Sequence, residues 1–307
     1  MPAKAKIQQV NLPYHNLRRL ASQIISLAPQ VKPVAVTDTS IKVVCISDTH
    51  NSQPDLPSGD LLLHAGDLTE WGSFEEVQAQ LKWLSSQPHT HKVIIAGNHD
   101  ILFDPAFLES EMERFPVKEG QTKDELDFGS VVYLQDETTT LDFPALGRSC
   151  TIFGSPWTPK YVRSAFQYSR DDDIWSRKMP KDVDVVLTHG PPYGHLDGPR
   201  RSGCHYLAES IADRRPKLVV FGHIHVGHGR ELLRFDALRR VYEDIECWWG
   251  GWEMIPLMFI LLLWSRIRCL LGGMLGSRKE DRLTELINAA IIGEGNKPCN
   301  TATVAYI

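Results

Sequence analysis

Cysteine is sparse and scattered: six residues in a chain of 307, at positions 45, 150, 204, 247, 269 and 299, with no C-x-x-C pair. That spacing excludes a zinc knuckle or a stapled disulfide framework, and it fits a reducing, cytoplasmic setting. Basic charge is also short. A formal net charge of −5 supplies no positive field for holding nucleic acid, so no specific nucleic-acid partner is expected. Acidic residues are missing before Asp38, whereas Lys4, Lys6, Arg18, Arg19 and Lys32 precede it, a faint trace of an organelle transit composition. The segment from 1 to 30 has no continuous apolar stretch of the secretory kind, so cytoplasmic residence stands ahead of export or import. The apolar run from Met254 to Trp264 has eleven residues, short of the roughly 20 that a spanning helix requires. Neither a repeat nor a low-complexity tract is found. What remains, 42% hydrophobic and 23% charged residues, is ordinary globular usage able to bury a large core.

Residues 1–40 contain Pro2, Pro13, Pro29 and Pro33 and one short amphipathic stretch (Leu17, Leu20, Ile24), which reads as an N-terminal arm. From Ile41 onward, through residue 307, one catalytic domain is expected. Its signature is an apolar run of strand length followed by a short polar cluster, five times over. Val43–Ile46 precedes Asp48-Thr49-His50, Leu61–Leu63 precedes Gly66-Asp67, and Val93–Ala96 precedes Gly97-Asn98-His99-Asp100. Val185–Leu187 then leads into His189-Gly190, and Leu218–Phe221 into Gly222-His223-Ile224-His225. Continuous rather than alternating apolar runs belong to strands covered on both faces, and ligand sites in such sheets lie at the carboxyl ends of the strands.

Between the second and third runs, Ser73 and Glu76 form a capping box ahead of a helix whose inner face is Phe74, Val77, Leu81 and Leu84, giving a βαβ crossover. The segment 131–157 reads as two strands, Val131–Leu134 and Cys150–Phe153, around a polar link, added antiparallel to the rest. Residues 231–283 differ in character. A helical pattern through Leu238, Val241 and Ile245 is followed by Trp248, Trp249 and Trp252, the apolar run, and then Arg266 and Arg268. This Trp-rich insertion suits packing or oligomer contact on one reading, and peripheral membrane contact through about 248–268 on the other.

The five clusters supply Asp48, His50, Asp67, Asn98, His189, His223 and His225: seven oxygen or imidazole donors and no thiolate. Such donors suit Mn, Fe or Zn with room for water rather than a closed structural zinc site. Seven are too many for one ion; two ions about 3.5 to 4 Å apart, sharing a carboxylate, would use them all. In that order the blocks resemble the calcineurin-like metallophosphoesterases. The strings SDTHN, LLLHAGDLT, IAGNHD, THGPPYGHLD and FGHIH are most similar to the metallophosphoesterase-domain (MPPED) group and its fungal relatives. The resemblance covers about residues 41–230 and resumes at 288–307, where a closing strand pair is expected.

The resemblance implies a four-layer α/β/β/α sandwich of two mixed sheets. It also implies two divalent or trivalent metal ions (Mn, Fe or Zn), with Asp48, His50 and His225 on one, Asn98, His189 and His223 on the other, and Asp67 bridging. His99 would face the phosphate and help the leaving group depart, with Asp100 orienting it. The activity implied is hydrolysis of a small phosphate ester, diester or monoester, cyclic nucleotides among the candidates, by a metal-bridging hydroxide. A phospholipid head group and a non-catalytic scaffold are the alternatives. Outside this set, His64 reads as a hydrogen-bonded core histidine, Cys45 as packing, and His15, His89 and His91 as solvent-facing. His195 and Asp197 read equally as substrate contacts and as residues that fix their own turn.

Overall fold

All five apolar runs become strands with no exposed side chain, as a backbone sandwiched between layers requires. Two of these strands, the first and the third, begin with one half-buried residue, Lys42 and His91, and are buried thereafter. The structure, a computed structural model, describes residues 12–29, 35–111, 113–115, 118–247, 249–270, 283–293 and 299–307. In chain order the elements are α1 (Leu12–Ser26), β1 (Lys42–Ile46), β2 (Leu61–Ala65), α2 (Phe74–Ser85), β3 (His91–Ile95), α3 (Pro105–Ser110) and β4 (Val131–Tyr133). There follow β5 (Glu137–Phe143), β6 (Arg148–Ser155), β7 (Thr158–Pro159), β8 (Gln167–Tyr168), α4 (Trp175–Lys178), β9 (Val185–Thr188) and α5 (His205–Arg214). The last are β10 (Leu218–Phe221), β11 (Gly229–Arg234), α6 (Ala237–Glu246), α7 (Met254–Leu270), β12 (Leu283–Asn288) and β13 (Thr303–Tyr306).

The chain divides into two compact units. The larger, residues 33–233 and 283–307, is the expected four-layer α/β/β/α sandwich. One sheet runs β13-β1-β2-β3-β4 and the other β11-β12-β10-β9-β6-β5. Pairings among β1, β2, β3 and β4 are parallel, as are those among β6, β9, β10 and β12. Alternate residues of each strand point to opposite faces. Val43, Cys45, Leu63 and Ile95 therefore meet Ile152, Leu187 and Val220 between the sheets. Val44, Ile46, Leu62 and Ile94 face outward onto Val77, Leu81 and Leu84 of α2. Ser73 caps α2 in the reciprocal box the sequence predicts: Glu76 N–H donates to Ser73 Oγ and Ser73 N–H to Glu76 Oε2. On the second sheet, α5 is the crossover between parallel neighbours β9 and β10, burying Leu207 and Ile211.

Two sequence expectations are corrected within this unit. The closing strands do not pair with each other: β12 lies parallel to β10 in the second sheet, and β13 antiparallel to β1 in the first. The segment 131–157 also distributes differently. β4 is a parallel edge of the first sheet, and the supposed polar link contains β5, which pairs antiparallel with β6. Residues 294–298 lie outside the described residues.

The smaller unit gathers the arm and the insertion, residues 1–32 and 234–282. Its core joins Leu17, Ala21 and Ile24 of α1 to Leu238, Val241 and Ile245 of α6 and Ile255, Met258 and Leu262 of α7. The amphipathic stretch in the arm is thus one helix of a three-helix unit rather than a loose lead-in. The Tyr14 hydroxyl donates to the carbonyls of Ile245 and Gly250, fastening α1 to the turn after α6. Trp248 and residues 271–282 lie outside the described residues. No helix among the described residues is long and apolar enough to cross a membrane.

Candidate metal centre

Where the central strands end, the backbone turns through conformations that L-residues seldom adopt. Asp48 has φ 52°, His50 42°, Asp67 53° and His223 65°. Each such residue costs on the order of 1–3 kcal/mol and persists only where its surroundings over-determine it. Here they do. Asp48 N–H donates to Gly66 O at 2.9 Å, and His50 N–H to Asp67 O at 3.2 Å. His223 N–H donates to both oxygens of Asp48, at 2.9 and 3.0 Å. The loops after β1, β2 and β10 therefore hold one another, and their side chains converge.

All seven donors expected from the sequence come together in two neighbouring groups. Asp48, His50 and His225 each offer one ligand atom, all within 4.8 Å of one another, and His225 Nε2 lies 3.3 Å from Asp48 Oδ1. Asp67, His189 and His223 meet the same measure. His189 Nε2 stands 3.2 Å from Asp67 Oδ2 and 3.0 Å from Asn98 Oδ1, which adds Asn98 to the second group. Asp67 also lies in a third combination with His50 and His99, so it is the carboxylate between the groups.

The donor set fits resident cations by two observations. His50 is buried, yet neither of its ring nitrogens has a hydrogen-bond partner. Its Nε2 is 3.8 Å from Asp67 and its Nδ1 3.1 Å from the Glu70 carboxylate, close approaches without hydrogen-bond geometry. Buried polar atoms are seldom left so, and a cation would satisfy them. His189 is already turned as a ligand would be. Its Nδ1 lies 2.8 Å from the carbonyl of Ala65, which can only accept, so Nδ1 carries the proton and Nε2 faces the centre.

The protonation states follow from burial and close charges. Burial alone would raise the Asp67 carboxyl, but His189, His99 and His50 hold it well below the usual carboxylate range. Burial would likewise lower His189, and Asp67 reverses this, pushing it up to about 9. His223, buried and beside His189, is pushed down to about 4. His64 is brought down to about 3 by burial first; its Nε2 lies 2.9 Å from Thr49 Oγ1, a core histidine as expected.

Asp100 does something other than orient His99. Its carboxylate accepts from the backbone N–H groups of Gly97, Leu68 and Thr69 and from the Thr69 hydroxyl, at 2.7 to 3.1 Å, stapling the β2 and β3 loops together. The partner of the His99 ring is the Glu70 carbonyl, 2.8 Å from Nδ1. Glu70 is the residue sequence reasoning missed. It touches His50 through its carboxylate and His99 through its backbone, and its position two residues after Leu68 in a tight loop was the only available signal. Asp197 fixes its own turn, accepting from Gly194 and Gly203, and His195 Nδ1 lies 2.9 Å from Glu231. His89 is buried against the Pro57 carbonyl, not solvent-facing. Cys45 is fully buried, and burial pushes its thiol far above the range of a nucleophile.

Residues 41–227 match the model of the family described as calcineurin-like phosphoesterase, which takes in most of the larger unit and every residue of the centre. The chain belongs to the calcineurin-like phosphoesterase family. Among similar proteins is one of Emericella nidulans named probable rhamnogalacturonate lyase C, 40% identical over 84% of this chain and 23% of its own length. Metallophosphoesterase domain-containing protein 1 of Homo sapiens is 36% identical over 61% of each chain. A UPF0046 protein of Caenorhabditis elegans is 37% identical over 68% of this chain and 59% of its own. The chain thus spans under a quarter of the first relative and about three fifths of the other two.

Two glycines in the family blocks have a steric reason to be glycine. A Cβ on Gly97 would fall on Asp67 Oδ1 and the Asp67 amide, and one on Gly222 would fall on Asp48 Oδ2 and Ser47 Oγ. Backbone and carboxylate approach so closely that no side chain fits between them. Gly222→Ala is expected to displace the Asp48 carboxylate and weaken cation binding about 10- to 100-fold, as loss of an orienting contact does. Titration of metal-stripped protein with Mn²⁺ or Zn²⁺ checks this; unchanged affinity would mean that Asp48 can shift at no cost.

Proposed function

We propose that this chain hydrolyses small phosphate esters at a two-cation centre. Asp48, His50 and His225 would hold one ion, Asn98, His189 and His223 the other, and Asp67 both. Bound there, two cations neutralise anionic phosphate oxygens and lower the pKa of water, the two obstacles to attack on a phosphate ester. The observation that carries this reading is the sharing of Asp67 between two buried His/carboxylate groups, one of which leaves His50 without a hydrogen bond.

The protein's own residues supply the rest. Asp67 accepts from the His99 backbone N–H at 2.8 Å, which fixes the loop that presents the His99 ring. Because Nδ1–H donates to the Glu70 carbonyl, Nε2 is the nitrogen left to give a proton to a departing alkoxide. In the metal-free chain burial opposes the imidazolium, but Asp67 first and then the Glu70 carbonyl outweigh it and raise the His99 pKa. Whether diesters or monoesters are preferred rests with the loops around the centre, and cyclic nucleotides are candidates by family likeness alone.

The test is elemental analysis of purified protein together with hydrolysis of paired aryl phosphate monoester and diester substrates under added Mn²⁺. Bound transition metal and turnover of at least one ester, abolished by chelation and restored by metal, is the expected result. Stoichiometric metal without turnover of either ester would instead support a scaffold.

A further inference from the structure

The smaller unit carries a feature that hydrolysis does not use. Helix α7 is apolar nearly all round, and its two sides have different fates. At 100° per residue, Ile255, Met258 and Leu262 share a stripe, and they are buried against α1 and α6. Leu257, Ile260, Leu263, Trp264 and Ile267 occupy the opposite side, and they are bare: Ile260 is 64% exposed, Leu263 61% and Trp264 57%. Trp252, at 49%, continues the patch ahead of the helix. Scattered exposed hydrophobes are normal, but a continuous apolar face of this kind marks a contact surface.

Length and charge decide what meets it. A helix of 17 residues is about 25 Å long, too short to span a bilayer with tilt to spare but long enough to lie along its surface. Two exposed tryptophans, Trp252 just ahead of the helix and Trp264 within it, suit the same position, where an indole can sit among head groups with its ring in the acyl boundary. The charged residues of α7 are Arg266 and Arg268, at about 20° and 220° from Ile255, one at each border of the exposed face. The Arg266 guanidinium donates to the Leu27 carbonyl, so it is held at that border. The acid nearest in sequence, Glu253, precedes the helix.

The wider balance points the same way. Residues 1–32 and 234–282 together contain thirteen Lys and Arg against seven Asp and Glu, a net charge of +6 within a chain of −5, so the remainder carries −11. A second copy of the unit would bring +6 against +6, whereas an anionic bilayer complements it. We propose that the helical unit docks on anionic phospholipid surfaces, with the outer face of α7 lying in the plane of the interface. This does not depend on the reading of the metal centre.

Flotation of the full chain with phosphatidylcholine vesicles, with and without about one third phosphatidylserine, tests it. The protein is expected to rise with the anionic vesicles, less with the zwitterionic ones, and less again at high salt. The double substitution Ile260→Glu, Trp264→Glu is expected to reduce the bound fraction at least about tenfold, at unchanged turnover of a soluble aryl phosphate and unchanged far-ultraviolet dichroism. Quenching of native tryptophan fluorescence by brominated phosphatidylserine provides a readout that needs no variant. Protein that remains at the bottom with both vesicle types, unquenched, overturns the proposal. So does a dimer in sedimentation velocity that the double substitution dissociates, since the face would then belong to a second copy.

Discussion

Asp67→Asn is expected to leave the protein folded and nearly metal-free, with phosphate-ester turnover reduced by at least about a thousandfold, or roughly 4 kcal/mol of transition-state stabilisation. The substitution changes almost no volume; what it removes is the negative charge between two groups of imidazoles. That charge is firmly present in the wild type, since three histidines hold the carboxyl ionised against the cost of burial. Neither group keeps an adequate donor set without it. The Asp48, His50 and His225 side would retain one carboxylate, and the Asn98, His189 and His223 side none. A second readout comes from metal-free protein. The raised pKa of His189, about 9, depends first on Asp67 once burial is set against it. A group whose folded pKa lies above its unfolded value stabilises the fold below the unfolded pKa, near 6.5, and loses that contribution as pH rises through about 9. In Asp67→Asn the largest attraction is gone and burial is opposed only by Asp48 and the Ala65 carbonyl, so the His189 resonance in an NMR titration should move well to the acid side of about 9. Variant protein that retains two equivalents of metal by elemental analysis would show that Asp67 is not the shared ligand.

The centre was legible because its residues follow strands with an unmistakable pattern. Each polar cluster begins where an apolar run stops, and parallel strands place their carboxyl ends side by side, so sequence order alone brings Asp48, Asp67, Asn98, His189 and His223 to one rim. The parts that were not legible depend on contacts that leave no local pattern. β5 exposes four of its seven residues and buries only Leu141 and Phe143, because it is an edge strand, and its sequence ETTTLDF reads as a polar link. Nothing in LTELIN or TVAY says which sheet each completes. The ring partner of His99 is a backbone carbonyl, Glu70 O, and a carbonyl has no letter in the sequence. The α1 helix shows its own amphipathic stripe plainly, but its partners α6 and α7 lie more than 200 residues away, too distant for periodicity to connect.

The strained backbone explains why the site residues are so closely tied to their loops. Asp48, His50, Asp67 and His223 all have left-handed φ, and all are among the donors. An unstrained strand end would carry these side chains onward along the strand direction; the reversed φ turns them back toward a common point. The price is local strain, offset by buried hydrogen bonds such as those of the Asp100 carboxylate, which make Asp100 a structural brace for the loops that carry Asp67 and Asn98. The same carboxyl is pushed up to about 6 by burial and by the nearby Asp67, so its four acceptor bonds hold an ion that its surroundings disfavour.

His99→Ala separates the acid role from the binding role. The variant is expected to keep its full metal complement and lose roughly 10²- to 10⁴-fold in turnover, the usual worth of a positioned proton donor. The loss should depend on the leaving group. An aryl ester whose phenoxide departs unaided needs little help, whereas an alkyl ester, whose alkoxide is far more basic, needs the proton, so the deficit should widen from the first to the second. The pH profile carries a third signature. An acid is competent only below its own pKa, so wild-type turnover of the alkyl ester should fall as pH rises through that of His99 in the loaded enzyme; in His99→Ala that alkaline decline should vanish because there is no imidazolium to lose. His99 also falls in one ligand-like grouping with His50 and Asp67, which makes metal content the deciding measurement. Should the variant lose an equivalent of metal along with its activity, His99 is a ligand and the leaving group must be assisted from elsewhere; the Glu70 carbonyl would then be orienting a metal-binding imidazole, as the Ala65 carbonyl orients His189.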